Sequence, residues 1–246
     1  MPKKRSSPAQ PAYAQVVEEL RRRILVGNPG PGSRLPNEEE LSNEFGVGRS
    51  TVREALSALA SQNLIRTKRG VTGGSFVMTP TVDTMSAHLE TGVGLMASAE
   101  YVSVAQLMEV RELLEVPTAG LAAHRINKSE LSDLRAALSV PVGPLTGATQ
   151  GSFSANHDFH VVLLRATGNP LLEVITAPVF RVLALRFGRE RASNEFWDGV
   201  HKDHGEILDA IESRDSMAAM SAMRRHLDRL GVVYSKIDLL DHAEDD

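Results

Sequence analysis

The chain has 246 residues, no cysteine, 4% aromatic residues and a formal net charge of -4. This length suits about two domains; the lack of cysteine excludes disulfides, thiolate metal sites and Cys nucleophiles; and no apolar run approaches the ~18 residues of a membrane span. The first 80 residues carry 12 Lys+Arg against 7 Asp+Glu and the remainder 15 against 24, so a basic front precedes an acidic rear, as in a nucleic-acid-binding module fused to a different one.

In chain order, MPKKRSSPAQ has the charge of a secretory n-region but no apolar stretch behind it. Residues 1–11 therefore read as a flexible basic arm of a cytoplasmic protein. Tyr13, Val16, Val17, Leu20 and Ile24 form a helical stripe that ends at Gly27. The turn-rich NPGPGSRLP follows, with Arg34 placed to reach a nucleic-acid backbone. Asn37 is a good N-cap for a second helix, and Glu40 can reach back to it as a capping box. Leu41 and Phe45 share that helix's inner face, and Gly46 to Gly48 stop it and restart the chain around a buried Val47, as a helix-turn-helix requires.

The next helix carries Val52, Ala55, Leu56, Leu59 and Ala60 at i, i+3, i+4, i+7 and i+8, a stripe that must pack inward. Its opposite face presents Arg49, Ser50, Arg53 and Ser57, with Thr51 in the first turn. Such groups at a helix N-terminus suit phosphate contacts and guanine edges in a major groove. Alternation over residues 64–69, a Gly-rich reversal at 70–74 and Ser75 to Val77 predict a hairpin wing with Lys68 and Arg69 near its tip.

LPNEEELSNEFGVGRSTVREAL resembles the winged-helix signature of the GntR family of bacterial transcription regulators. The resemblance implies that Arg49, Ser50, Thr51 and Arg53 face DNA, and that Arg69 and Gly70 enter the minor groove. Two positions depart from the family pattern: Glu39 stands where members often have a DNA-contacting Arg, and Gly48 replaces the usual capping Ser or Thr. A carboxylate at position 39 repels phosphate, which implies an altered half-site or affinity.

Thr79 to Val82 reads as a linker, dividing a winged helix-turn-helix at 12–79 from a helical effector-binding and dimerisation domain at 80–240, with an acidic, frayed tail at 241–246. Helices are expected at 83–99, short and weakened by Gly92 and Gly94; at 102–126, kinked or split by Pro117; and at 128–140, 152–167, 171–189, 195–213 and 215–237. The fold class is thus mostly α: an N-terminal winged helix-turn-helix with a small β-hairpin, then an antiparallel α-helical bundle.

Three of the eight histidines lie on inward stripes. His160 shares a face with Asn156 four residues earlier, His204 aligns with Ile207, Leu208 and Ile211, and His226 aligns with Met223, Leu227 and Leu230. Three imidazoles and a side-chain oxygen suit a divalent transition metal, zinc or nickel first, with open coordination positions. Arg111 sits mid-stripe with Glu115 one turn on; the two form either a structural ion pair or an anchor for an effector carboxylate.

The second half also resembles the FadR-type branch of the family, with its all-helical FCD effector domain, through EVRELLEVPTAGLAA, NHDFHVVLLRATGNPLL, KDHGEILDAI and DSMAAMSAMRRHLD. The resemblance implies metal ligation by Asn156, His160, His204 and His226 and sensing of a small carboxylate. It further implies a homodimer on a palindromic double-stranded operator, more often a repressor than an activator, and no enzyme. Two rivals remain open from sequence: a metal-free pocket in which the histidines meet the ligand directly, and a metal-dependent hydrolase or isomerase built on the same histidines.

Overall fold

The structure, a computed structural model, describes residues 11–70, 73–139, 159–186 and 192–244. The chain divides into two compact units at Pro80 and Thr81.

In the first unit, α1 (Ala12–Leu25), α2 (Glu38–Phe45) and α3 (Arg49–Ser61) precede an antiparallel pair, β1 (Ile65–Lys68) and β2 (Gly74–Val77). The expected capping box is complete. Asn37 Oδ1 accepts from the backbone N–H groups of Glu39 and Glu40, and Glu40 Oε2 accepts from that of Asn37 at 2.7 Å. Gly46, at φ 64, takes the left-handed conformation that ends α2. Gly48 N-caps α3 without a side-chain hydrogen bond. Val47 is half-buried rather than buried, because the turn brings it only to the core's edge. Val16, Leu20 and Ile24 of α1, Leu41 of α2, and Val52, Ala55, Leu56 and Leu59 of α3 meet Leu35, Ile65 and Val77 in one core. Burying that stripe leaves the other side of α3 outside. The hairpin register pairs Ile65 with Val77 and Lys68 with Gly74, and Arg34 bridges to Phe76 at its edge.

The second unit is helical among the described residues: α4 (Val82–Ser98), α5 (Val104–Arg125), α6 (Lys128–Ser139), α7 (159–166), α8 (Pro170–Arg186), α9 (Asn194–Glu212) and α10 (Ser216–Glu244). Three features differ from the sequence reading, and a fourth lies partly outside the described residues. Helix α4 runs unbroken through Gly92 and Gly94, since packing along α8 outweighs the ~1 kcal/mol propensity cost of each glycine. Helix α5 is one element despite Pro117, which is exposed on its outer side. Helix α10 continues to Glu244, past the expected end at Ile237 and into the tail expected to fray; no Gly or Pro interrupts residues 232–244. The helix expected at 152–167 is described only from Phe159.

Helix α5 is the spine, packed by α8, α9 and α10. A Cβ on its Gly120 would lie 2.9 Å from Met220 Cγ, so a glycine there lets α5 and α10 approach closely. Arg214, at φ 59, donates to the carbonyls of Ala123, His124 and Ile126, satisfying acceptors that the end of α5 leaves open.

Candidate functional site

In the first unit the exposed side of α3 carries Arg49, Ser50 and Arg53, while Thr51 is half-buried. Both guanidiniums already have carboxylate partners on α2. Arg53 donates from Nε and Nη2 to the two oxygens of Glu38, at 3.2 and 2.8 Å. These bonds hold the Glu38 carboxyl below its usual range and raise Arg53. Arg49 Nη2 lies 3.0 Å from Glu39 Oε2. Exposed pairs of this kind contribute little to stability. They do set where two charged forks stand before any ligand arrives. On the hairpin, Lys68 is exposed with Nζ 5.5 Å from the Phe76 ring centre, and Arg69 and Gly70 are exposed beyond β1. Arg34 is exposed and lies over Gly74, where a Cβ would stand 2.5 Å from Arg34 Nε.

The second unit gathers its chemistry around α5. Arg111 and Glu115 face inward one turn apart, each about 3% exposed, and are doubly bonded: Nε to Oε1 at 2.6 Å and Nη2 to Oε2 at 3.3 Å. The Arg111 guanidinium also lies 6.0 Å from the Phe180 ring centre of α8. Burial alone would push the Glu115 carboxyl up, but Arg111 and His160 hold it far below the usual carboxylate range. Burial likewise works against the Arg111 cation, and Glu115 more than restores it.

His160 of α7, His204 of α9 and His226 of α10 converge next to this pair, each at most 3% exposed. Their ring centres are 5.2 Å (160 to 204), 5.3 Å (160 to 226) and 4.7 Å (204 to 226) apart. Phe159 stacks on His204 at 4.1 Å. One nitrogen from each imidazole lies within 4.8 Å of the others. Burial lowers the His226 pKa to about 4, with Asp203 offsetting only part of that effect. Burial, then His226 and His160, take His204 well below its ordinary value. His204 and His226 are therefore neutral at pH 7, the form in which imidazole ligates a metal.

Among the described residues, both ring nitrogens of His160 and His226 and Nε2 of His204 are buried without a hydrogen-bond partner. A buried polar atom left so costs about 1 to 3 kcal/mol. One nitrogen from each of the three rings can turn its lone pair to a common centre, an arrangement that a divalent cation fits. Three imidazoles fit zinc or nickel; the expected fourth ligand, Asn156, lies outside the described residues.

Sequence reasoning missed the carboxylates behind the imidazoles. Glu115 Oε2 lies 2.8 Å from His160 Nδ1, off the direction of a hydrogen bond, so this residue serves both Arg111 and the cluster. Asp203 is buried with Oδ2 3.6 Å from His226 Nδ1, and Arg229 donates to both its oxygens at 2.8 and 3.2 Å. Its carboxyl stays low because His226 and Arg229 together outweigh the effect of burial. Carboxylates behind ligating imidazoles orient the rings and raise their basicity. Only the i, i+4 spacing of Arg111 and Glu115 signalled any of this. His88, His124 and His201 are exposed and separate cleanly from the three.

Among the described residues no helix is long and apolar enough to cross a membrane. Residues 12–77 match the model of the bacterial regulatory proteins of the gntR family, and residues 106–229 match that of the FCD domain. The chain is 29% identical over 233 residues to the Uxu operon regulator of Haemophilus influenzae, covering 89% of this chain and 80% of that one. It is 30% identical over 220 residues to the HTH-type transcriptional regulator LutR of Bacillus subtilis (86% and 96%), and 29% identical over 221 residues to the HTH-type transcriptional repressor NanR of Citrobacter rodentium (89% and 84%). Its fold is shared with a GntR structure from Streptococcus agalactiae at TM-score 0.59 and 23% identity, covering 90% and 99% of the two chains. The chain belongs to the GntR family of bacterial transcription regulators, a winged helix-turn-helix followed by an FCD domain, and is a regulator rather than an enzyme.

Proposed function

We propose that this regulator is a cytoplasmic homodimeric repressor of the FadR-type branch that leaves a palindromic operator when a small organic acid binds in its helical unit beside a His-ligated divalent metal. The observation that carries this reading is the buried triad of His160, His204 and His226, with its unpartnered nitrogens, set beside the buried Arg111. The three imidazoles, with Asn156 as the expected fourth ligand, would hold the ion. When bound, the ion supplies a Lewis-acid seat for a carboxylate oxygen. Arg111, whose bonds to Glu115 use Nε and Nη2, directs the remaining charge of the acid. Neutral imidazoles around a dication, with a guanidinium nearby, make a cationic recess that prefers anions. Names among the relatives support repression, two of those described above being called regulators and the third a repressor.

On DNA, Arg49, Ser50, Thr51 and Arg53 of α3 enter the major groove. Arg34 and Lys68 meet backbone phosphate, and Arg69 with Gly70 reaches the minor groove from the wing. The acid shifts the balance between DNA-competent and incompetent arrangements by its differential affinity for them. Two measurements test the reading: elemental analysis of the protein as purified, and retention of labelled operator duplex against a panel of small mono- and dicarboxylates. Stoichiometric zinc or nickel, with release of duplex by at least one acid, is expected. Full response to an acid in protein stripped of metal would replace this reading with direct recognition by the histidines. Arg53→Ala should weaken specific binding about tenfold or more and relax one base position; wild-type affinity by footprinting would show that α3 is not the reading helix.

A further inference from the structure

Three acidic residues fill the first turn of α2, and two of them accept hydrogen bonds within the unit. Glu40 closes the capping box on Asn37, and Glu38 spends both oxygens on Arg53. Glu39 differs. Its side chain is 66% exposed, Oε2 lies 3.0 Å from Arg49 Nη2, and Oε1 accepts no hydrogen bond among the described residues. An acceptor with a free oxygen thus stands against a donor fork at the N-terminus of α3, on the face proposed to read DNA.

Resting on that reading, we infer that Glu39 is a specificity-determining residue that accepts a hydrogen bond from cytosine N4 in the major groove, beside the guanine read by Arg49. The argument is one of donors. Phosphate oxygens, guanine N7 and O6, and thymine O4 are acceptors, and all of them repel a carboxylate. Only the exocyclic amines of cytosine and adenine donate there. Adenine sets its N7 acceptor next to N6, against the second carboxylate oxygen, whereas cytosine offers N4 with no neighbouring acceptor. Cytosine is therefore the base that a docked Glu39 tolerates. Arg49 keeps the carboxylate in place and finds guanine acceptors in the same or the adjacent pair. The ordinary alternative is that Glu39 only complements the positive end of α2, and it predicts no base preference.

The test is selection of bound duplexes from a pool with randomised half-sites, by the full chain and by its Glu39→Gln and Glu39→Ala variants, all confirmed folded by circular dichroism. Wild type should enrich cytosine about fivefold or more at one half-site position. Glu39→Gln should move that preference to adenine, which an amide pairs bidentately, and Glu39→Ala should flatten that position while the others keep theirs. Selection of the same motif by all three proteins overturns the inference. If wild type retains no duplex at low salt, the assignment of α3 as a DNA-reading helix fails first.

Discussion

Glu115→Ala is expected to cost the helical unit about 3 to 5 kcal/mol, because it leaves the Arg111 guanidinium buried and unpaired. The pair lies on α5, against α8, α9 and α10, so no short rearrangement brings water to the cation. Removing both charges has the opposite character. Arg111→Met with Glu115→Leu exchanges a desolvated ion pair for apolar packing of similar length, a change that is often neutral or stabilising. Urea unfolding should therefore show a large loss of midpoint in the single variant and near recovery in the double one. A loss below about 1 kcal/mol in Glu115→Ala would mean that the pair is not sealed from solvent in solution. The double variant also separates the two roles left open for Arg111. A stable protein that still responds to a carboxylate leaves Arg111 a structural partner of Glu115; one that no longer releases operator yet still binds zinc like wild type makes Arg111 an effector anchor, since the histidine cluster that Glu115 also serves is then intact.

The first unit was legible in the sequence almost residue by residue, because each decisive feature is local. Asn37 and Glu40 are three residues apart, Gly46 takes the turn that only an unhindered backbone favours, and the stripe from Val52 to Leu59 faces inward at helical spacing. The histidines of the second unit were legible for the same reason, each lying in line with apolar neighbours on its own helix. What spacing cannot show is which groups meet across helices. Asp203 precedes His204 in sequence, yet it turns to His226 and Arg229 of α10, a pairing fixed by how α9 packs on α10. The carboxylates Glu38 and Glu39 were visible as letters, but their pairing with Arg53 and Arg49 depends on the angle between α2 and α3. Helix propensity misled at Gly92, Gly94 and Pro117 because it is a weak bias, and burial along α8 and α10 overrides it.

Metal removal and acid should weaken the same unit, acid through His204 and His226. With chelator present, His226 titrates near 4 in the folded chain and near 6.5 when unfolded. Between those values the unfolded chain takes up a proton that the folded chain refuses, so stability is complete above about pH 6.5 and falls as pH drops toward 4. His226 alone accounts for a loss on the order of 3 kcal/mol, and His204, also lowered by burial, adds to it. Asp203 contributes with the acid's own sign at lower pH, since its depressed carboxyl gives stability that is lost only below about pH 4. Zinc at 100 times its dissociation constant should add about 2.7 kcal/mol at pH 7.5. That gain should vanish at pH 5, where protons compete for the ligands. Thermal unfolding at pH 7.5, 6 and 5, with chelator or zinc, reads both effects. In a His204→Ala His226→Ala variant the metal-free profile should flatten over this window and zinc should shift nothing. An equal zinc shift in variant and wild type would place the ion elsewhere.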